Sequence, residues 1–236
     1  MLVRNWMTTD LITVSPLTSL KEAADLMKAH KIRCLPVLGE QGEVVGIISD
    51  RDLKAASPSK VTTMDMHEVH YLFNHLRAKD IMTSRVITIT TGDTVEKAAV
   101  IMHRRKISSL PVVEDGKAVG IITQDDVARV LTSITGIYRG GTQFALRLAD
   151  QPQAVQEVLE VIRGRGAEVV SVLSIHDIGK EGCQNVYIRA GHLDRDMLET
   201  ITAELDRRFT LRYVAENELA DLEAEPPPLA VPRGNG

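Results

Sequence analysis

Two short segments combine a hydroxyl, backbone amides and a carboxylate at the same spacing. Residues 46–52 read Gly-Ile-Ile-Ser-Asp-Arg-Asp, and residues 120–126 read Gly-Ile-Ile-Thr-Gln-Asp-Asp. A strand that turns into a helix start presents unpaired N–H groups, which suit a phosphate. The Asp52 and Asp126 carboxylates each offer two acceptor oxygens, the number that the paired 2′ and 3′ hydroxyls of a ribose require. Both aspartates would also serve as ordinary helix caps, so a ligand role and a structural role stay open.

The two segments belong to an internal repeat whose copies are offset by about 75 residues. Residues 7–8, Met-Thr, recur at 82–83, and residues 35–37, Leu-Pro-Val, recur at 110–112. One deletion near Gln41 brings the later parts of the copies into register. Matches in the same order over about 50 residues, with a single gap, indicate two related structural units.

Each copy predicts the order β-α-β-β-α. Apolar residues recur three and four positions apart in the first helix of each copy, which predicts one buried helix face. Thr18 and Asp93 are predicted to cap these helices, with Asp93 and Glu96 forming a capping box. Each sheet has a face that needs a cover, so repeat 1 (residues 3–56) and repeat 2 (residues 78–132) should pack as a pseudo-twofold pair.

The rest of the chain predicts a second domain and two connecting or terminal segments. A linker helix is predicted at residues 60–77, which completes a repeat pair spanning residues 1–134. Residues 137–216 predict β-α-β-β-α-β, a ferredoxin-like order. Residues 217–236 are acidic and proline-rich without periodicity, and a disordered tail is expected there. The predicted fold class is α+β.

Charge and composition exclude several classes of function. The chain has 236 residues and a net charge of −4, with 3% aromatic residues and 2 cysteines. No net positive field would attract nucleic acid or anionic lipid, and few aromatic side chains are available to stack on bases. No apolar run reaches the length of a membrane span, and nothing resembles a signal peptide. We therefore expect a cytoplasmic protein without nucleic-acid or membrane partners.

No residues have the spacing of a catalytic or metal site. His67, His70 and His75 invite a metal interpretation, but no acidic or cysteine partner recurs at ligand spacing, and zinc requires three or four ligands. Cys34 and Cys183 form no C-x-x-C pattern. No nucleophile or acid–base pair stands out, so we expect a protein that is not an enzyme and needs no cofactor.

The repeated Met-Thr, Leu-Pro-Val and Gly-Ile-Ile-(Ser/Thr)-x-x-Asp segments make residues 3–132 resemble a tandem pair of CBS domains, a Bateman module. This resemblance implies that an adenine nucleotide (AMP, ADP, ATP or S-adenosylmethionine) binds in clefts between the repeats. Arg33 is the best phosphate counter-ion, because its guanidinium is a planar fork of donors. The candidate ligand-binding residues are Thr13, Ile32, Arg33, Cys34, Ser49, Arg51, Asp52, Thr88, Ile107, Ser108, Thr123 and Asp126.

The two candidate sites differ in charge. Ser108 takes the place of Arg33 in repeat 2, and Asp125 takes the place of Arg51. We therefore expect the half-site around repeat 1 to be richer in cations and to be the one competent phosphate site. The basic residues at the helix ends would either face the clefts or simply complement the helix dipoles; they are Lys31, Arg104, Arg105 and Lys106.

Residues 141–216 resemble an ACT domain more weakly, and the combination is similar to bacterial CBS–ACT proteins of acetoin utilisation, the AcuB-like group. The resemblance places an amino-acid site at Asp150, Pro152 and Gln153. Glycine usually follows the proline in ACT domains that bind amino acids, whereas Gln153 would crowd a ligand. A dimerising module without a ligand is therefore an alternative.

Three functional hypotheses follow. The first is a regulator in which an adenine nucleotide bound between the repeats is coupled to the ACT-like domain or to a partner protein. The second is a non-catalytic scaffold or regulatory subunit with vestigial clefts, and the third is an amino-acid-responsive ACT switch. A homodimer is expected in each case, because a twofold interface is the commonest form of self-association.

Overall fold

The computed structural model describes residues 1–56, 75–176, 182–191, 193–216 and 219. Most of the predicted linker helix and, apart from residue 219, the predicted disordered tail lie outside these residues. The described chain forms two compact units, and the division falls between Val127 and Ala128. The predicted domain boundaries stay predictions.

Repeat 1 forms one helix, a two-stranded antiparallel sheet and a second helix. Its elements are α1 (Leu20–Ala29), β1 (Cys34–Leu38), β2 (Val44–Ser49) and α2 (Asp50–Ala56). Leu20, Ala23 and Met27 lie on one face of α1 and are buried against β1 and β2. The three- and four-residue spacing of these side chains positions the helix over the sheet.

Repeat 2 follows the same path and adds a parallel strand. Its elements are α3 (Ala78–Ile81), β3 (Ile89–Thr90), α4 (Val95–Arg105), β4 (Ser109–Glu114), β5 (Lys117–Thr123) and α5 (Gln124–Thr135). β3 pairs parallel to β4, and β4 pairs antiparallel to β5. In repeat 1 the corresponding parallel pairing is reduced to one bridge between Val14 and Val37.

The helices α1 and α4, which occupy equivalent positions in the two repeats, are each capped one residue later than the sequence predicts. The side chain of Ser19 caps α1 and that of Thr94 caps α4. Thr18 and Asp93 instead accept hydrogen bonds from the backbone N–H three residues before them, at 3.0 and 2.9 Å. Their oxygens close the turn that leads into the helix, so the next residue becomes the cap.

In each repeat the first segment, which contains the Met-Thr pair, bonds to the last strand of the other repeat. Thr8 of repeat 1 pairs with Ile121 on β5 of repeat 2, through backbone hydrogen bonds of 2.9 and 3.0 Å. Thr83 of repeat 2 pairs in the same way with Ile47 on β2 of repeat 1, at 3.0 and 3.1 Å. These equivalent pairings relate the repeats as a pseudo-twofold pair within a mixed α+β fold.

Glycine is required where these segments cross. The side chain of Met82 lies against Gly46 on β2, and the side chain of Met7 lies against Gly120 on β5. A Cβ atom at either glycine would collide with the methionine sulfur. The repeated Met-Thr and Gly-Ile-Ile segments are therefore two halves of one contact, each half supplied by a different repeat.

The second unit has the predicted element order β-α-β-β-α-β. Its elements are β6 (Thr142–Ala149), α6 (Pro152–Gly164), β7 (Val169–His176), β8 (Cys183–Ala190), α7 (Arg195–Arg208) and β9 (Thr210–Glu216). The four strands form an antiparallel sheet of order β7-β8-β6-β9. The core packs Phe144, Leu146 and Ile188 of the sheet with Ile162 and Ile201 of the helices. This topology is ferredoxin-like; the ACT assignment stays a prediction.

The last turn of α5 is held within the second unit. The carbonyl oxygen of Thr135 accepts hydrogen bonds from Arg189 Nε at 3.1 Å and Ser171 Oγ at 2.8 Å. Arg189 is buried, and its positive charge offsets part of the negative charge at the C-terminal end of the α5 dipole. None of the described helices has both the length and the apolar character that crossing a membrane requires.

Candidate functional site

Two clefts of similar size lie between the repeats, and each takes residues from both. Cleft A has a volume of about 310 Å³ and cleft B about 340 Å³, at the lower end of the range for small-molecule sites. Cleft A is lined by Thr8, Asp10, Leu11, Ile12, Lys31, Ile32, Arg33, Cys34, Pro36, Ser108, Ser109, Ile121, Thr123, Gln124, Asp125 and Asp126. Cleft B is lined by Cys34, Ile47, Ser49, Asp50, Arg51, Asp52, Thr83, Arg85, Val86, Ile87, Arg105, Lys106, Ile107, Ser108, Ser109 and Pro111.

Ten of the twelve residues predicted to bind nucleotide line these clefts. Cleft A holds Ile32, Arg33, Cys34, Ser108, Thr123 and Asp126, and cleft B holds Cys34, Ser49, Arg51, Asp52, Ile107 and Ser108. The other two, Thr13 and Thr88, are not among the residues lining either cleft; the preceding residues Ile12 and Ile87 are. That these residues bind a ligand stays a prediction.

The serine–aspartate pair at the start of α2 forms a reciprocal cap. Asp52 Oδ2 accepts hydrogen bonds from the Ser49 N–H at 2.7 Å and from Ser49 Oγ at 2.6 Å. The Asp52 N–H in turn donates to Ser49 Oγ at 3.3 Å. Asp52 Oδ1 has no hydrogen bond to another described residue, so it can accept one from a ligand.

The threonine–aspartate pair at the start of α5 repeats this geometry. Asp126 Oδ2 accepts from the Thr123 N–H and from Thr123 Oγ1, both at 2.8 Å. Asp126 is buried, with 5% of its surface exposed. In both pairs the hydroxyl group donates its hydrogen to the carboxylate of the same pair.

The clefts differ in charge. Four basic residues and two acidic residues line cleft B, so its net charge is positive. Two basic and three acidic residues line cleft A, so its net charge is negative. The basic residues of cleft B are Arg51, Arg85, Arg105 and Lys106, and the acidic residues of cleft A are Asp10, Asp125 and Asp126.

This distribution corrects the prediction that one half-site around repeat 1 would hold both Arg33 and Arg51. Arg33 lines cleft A and Arg51 lines cleft B. The physical reason is that each repeat contributes its first segment to the sheet of the other repeat. The first segment of one repeat therefore lines the same cleft as the last strand and helix start of the other. Sequence position within one repeat therefore does not decide which cleft a side chain enters.

Arg85 is the cation that sequence reasoning missed. It follows the Met-Thr segment of repeat 2, and its equivalent in repeat 1 is Asp10. Lys106, which was left open between a cleft and a helix end, ends α4 in a left-handed conformation with φ 57° and lines cleft B. Arg104 on the same helix is not among the cleft residues.

Asp50 partly offsets the positive charge of cleft B. A hydrogen bond from Lys54 is the main cause that lowers the pKa of Asp50, and Arg33 and Arg51 lower the pKa further. The carboxylate therefore stays ionised at neutral pH. Because Lys54 lies outside the cleft residues and pairs with it at 2.9 Å, part of the negative charge of Asp50 is already compensated.

A neutral wall separates the clefts. Cys34 and Ser109 occupy equivalent positions, are both buried, and line both clefts. Burial is the main cause that raises the pKa of the Cys34 thiol, and a hydrogen bond with Ser109 opposes it. The thiol is therefore protonated at neutral pH and is not poised as a nucleophile.

The residues predicted as an ACT ligand site lie at the start of α6. Asp150 follows β6, and its carboxylate lies 3.2 Å from His176 Nδ1. Pro152 is the first residue of α6, and Gln153 is exposed. An amino-acid site here stays a prediction.

The described residues contain no group of three or more histidine, cysteine, aspartate or glutamate side chains placed to hold a metal ion. His67 and His70 lie outside these residues.

Comparison with known proteins matches the repeats to one family. The CBS domain model matches residues 3–59 and 78–133. The CBS domain-containing protein YhcV of Bacillus subtilis is 31% identical over 126 residues, which cover 53% of this chain and 82% of YhcV.

Solved structures resemble a little more than half of the chain. The CBS domain pair of protein MJ0100, in complex with 5′-methylthioadenosine and S-adenosyl-L-methionine, is 31% identical, with a TM-score of 0.47 and coverage of 56% and 97% of the two chains. A structure described as an acetoin utilization protein (AcuB) from Vibrio cholerae is 28% identical, with a TM-score of 0.48 and coverage of 56% and 91%.

The chain also matches parts of longer enzymes. It spans 22% of the length of one such relative and 24% of another, at 32% and 37% identity. The matched segments cover 51% and 58% of this chain. The activities of those enzymes therefore do not transfer with the match.

Proposed function

The chain belongs to the CBS-domain proteins and contains a tandem CBS pair, and we propose that it is a regulatory protein that binds an adenine nucleotide in cleft B. The observation that carries this proposal is the composition of cleft B. Four basic side chains line the same cleft as Asp52, and one oxygen of the Asp52 carboxylate has no hydrogen bond to a described residue. Cleft A is lined by only two basic side chains.

The two features match the two polar parts of a nucleotide. Arg51, Arg85 and Lys106 are exposed, so their charged ends can reach a phosphate without first being desolvated. The Asp52 carboxylate suits the ribose hydroxyls, because an ionised carboxylate is an acceptor only. The remaining lining offers apolar surface to a base at Ile47, Val86, Ile87, Ile107 and Pro111.

The resemblance to CBS pairs narrows the base to adenine. We therefore assign to the protein a binding role, with the nucleotide as effector and with no cofactor required.

Regulation requires that the nucleotide bind two states of the protein with different affinity. We propose that the ACT-like unit or a partner protein receives the change, and that the protein acts as a homodimer.

The test is nucleotide binding by the full chain. AMP, ADP, ATP and S-adenosylmethionine should be titrated calorimetrically, with GTP and an amino-acid panel for comparison. Arg51→Ala and Lys106→Ala should each weaken the binding of the phosphate-bearing nucleotides by roughly tenfold, because each removes a charge-assisted contact. Arg104→Ala is the matched control and should leave affinity unchanged.

The outcomes separate the hypotheses. If Arg51→Ala and Arg104→Ala weakened nucleotide binding equally, the effect would come from the overall electrostatic field of the protein. Cleft B would then not be the binding site. A chain that binds no nucleotide but responds to an amino acid would favour the ACT switch. A chain that binds neither would favour the scaffold.

A further inference from the structure

The sheet of the second unit has two faces, and α6 and α7 pack against one of them. Phe144, Leu146 and Ile188 lie on that face and belong to the core. Side chains alternate along a strand, so Ala145 on β6 and Tyr187 on β8 lie on the opposite face. We call this second surface of the sheet the outer face.

The outer face carries a pair of tyrosines. Tyr187 on β8 and Tyr213 on β9 both pair in register with Ala145 on β6, so they stand on either side of a methyl side chain. Two strand spacings separate their backbones, about 10 Å. Tyr213 is 47% exposed, and its hydroxyl donates to Gln143 Oε1 at 2.9 Å. Two tyrosines that flank a small residue form a shallow aromatic groove, the kind of surface on which proline-rich peptides bind.

The segment that follows β9 has the composition of a ligand for such a groove. Residues 217–228 read Asn-Glu-Leu-Ala-Asp-Leu-Glu-Ala-Glu-Pro-Pro-Pro, with four carboxylates and three consecutive prolines. Consecutive prolines favour the polyproline II conformation, which binds aromatic side chains at a low cost in conformational entropy. We propose that the outer face binds an acidic, proline-rich peptide and that residues 217–228 of the same chain occupy it.

The chain leaves the sheet at a point from which these prolines can reach the groove. β9 lies at an edge of the sheet and ends at Glu216, three residues after Tyr213. Leu219, which the structure describes, lies in a turn and is half-buried, so the chain changes direction soon after β9. The path from Glu216 to Pro226 extends to at most about 33–36 Å, whereas the four strands span about 14 Å.

Charge favours an acidic occupant. The four strands contain the basic residues Arg147, Arg189 and Arg212 and one acidic residue, Glu216. Arg212 is exposed next to Tyr213 in the sequence. The contacts of the prolines with the tyrosines place the segment in the groove, and the charges add to the attraction between the segment and the sheet.

The test measures how a labelled peptide of residues 217–228 binds to two forms of the protein by fluorescence anisotropy. The forms are the full chain and a shortened chain that ends at Glu216. The shortened chain should bind the peptide about tenfold more tightly if its Kd is about 100 µM. In the full chain the tethered segment competes for the groove at an effective concentration on the order of millimolar.

A full-chain variant keeps the test open if the shortened chain fails to fold by circular dichroism. The triple substitution P226A, P227A and P228A removes the polyproline contact and should bind the labelled peptide like the shortened chain. Pro232→Ala is the matched control, because Pro232 lies outside the proposed segment. This control should bind the peptide as weakly as the unmodified chain does.

Tyrosine substitutions in the shortened chain or in the triple variant locate the peptide. Tyr187→Ala should weaken peptide binding by at least about tenfold, because aromatic anchors carry much of the binding energy of an interface. Tyr138→Ala is the matched control, since Tyr138 lies outside the sheet, and it should leave binding unchanged. Replacing the four peptide carboxylates with amides should weaken binding less than Tyr187→Ala does and should reduce its dependence on salt.

Four results would overturn the inference. The peptide would bind neither open form, or it would bind the full chain and the shortened chain equally well. Tyr187→Ala and Tyr138→Ala would weaken peptide binding to the same extent. Finally, the shortened chain would sediment as a larger oligomer and bind no peptide, which would assign the outer face to a contact between copies of this chain.

Discussion

Repeat 1 and repeat 2 keep the same internal supports and differ in the side chains that reach the clefts. Both use a reciprocal cap with a carboxylate three residues after a hydroxyl, with O···N distances of 2.7 and 2.8 Å. Both insert a methionine against the glycine of the other repeat. At two equivalent positions, however, one repeat carries arginine where the other carries aspartate: Arg85 against Asp10, and Arg51 against Asp125.

The difference shows which residues were free to diverge. Asp10, Arg51, Arg85 and Asp125 are all exposed, so substitution at these positions changes the charge of a cleft at little expense in stability. The caps and the glycines are structural, and a change there would disturb the fold. On the proposed function, ligand preference and stability therefore depend on separate side chains in most of the site, with the aspartates of the caps as the exception.

The largest expected effect comes from those aspartates. Asp52→Ala should lower AMP affinity roughly ten- to a hundredfold, because a hydrogen bond to a charged group contributes about 1.5–3 kcal/mol. Asp126→Ala should leave AMP affinity nearly unchanged, because Asp126 lines the acidic cleft. Calorimetric titration of both variants measures the contrast.

Stability supplies the control for that pair. Both variants lose the same cap and should be less stable by about 1–2 kcal/mol in urea unfolding. Asp126→Ala should be the less stable of the two, since Asp126 is buried and Asp52 is half-buried. If Asp52→Ala and Asp126→Ala lowered AMP affinity equally, the prediction that AMP binds in cleft B and not in cleft A would be wrong.

A smaller effect tests what the repeats share. Gly46→Ala and Gly120→Ala should each destabilise the fold by about 1–3 kcal/mol, because the added methyl meets Met82 or Met7. Gly120→Ala should be the harder to accommodate, since the Thr8 carbonyl oxygen also lies 3.0 Å from the new Cβ.

Gly92→Ala is the matched control for these substitutions. No atom lies within 4 Å of a Cβ at Gly92, so this variant should be neutral or slightly stabilising. Urea midpoints at one pH compare the three variants. Similar urea midpoints for all three variants would show that Met82 and Met7 do not restrict the space at Gly46 and Gly120.

The smallest effect concerns the turn before each first helix, which Asp93 closes in repeat 2 and Thr18 in repeat 1. A hydrogen bond from Lys97 is the main cause that lowers the pKa of Asp93 to about 2. The folded pKa is below the unfolded one, so this stabilisation is present above about pH 4 and is lost as the pH falls towards 2.

Unfolding midpoints between pH 5 and pH 2.5 test this difference. Asp93→Asn should lose less stability over that range than the unmodified chain, while Thr18→Asn should follow the unmodified chain. A pH dependence that Asp93→Asn leaves unchanged would show that other carboxylates account for it.

Local periodicity was sufficient to predict the long helix that covers the sheet of each repeat. The spacing of Leu20, Ala23 and Met27 gave α1, and that of Val95, Ala98 and Met102 gave α4, because one helix face must be apolar to be buried. Caps were less predictable. Threonine and aspartate can close a turn or cap a helix, and the choice at residues 18 and 93 depended on the turn geometry.

The clefts required information that spacing does not contain. The residue types of Asp52 and Asp126 indicated a site, but the partners of each carboxylate depend on which strand the Met-Thr segments join. That pairing is a tertiary contact between Thr8 and Ile121 or Thr83 and Ile47. Arg85 gave no local signal, because a single arginine after a strand segment is an ordinary surface residue.

Because each cleft is completed by the other repeat, a lone repeat would have no site at all. Two identical copies would have to pair to form one, and their symmetry would make both clefts chemically the same. Asp10 could then not differ from Arg85, since both would be encoded by one codon. Duplication within one gene removes that constraint, so the covalent link between the repeats is what allows a symmetric receptor to evolve two unlike sites.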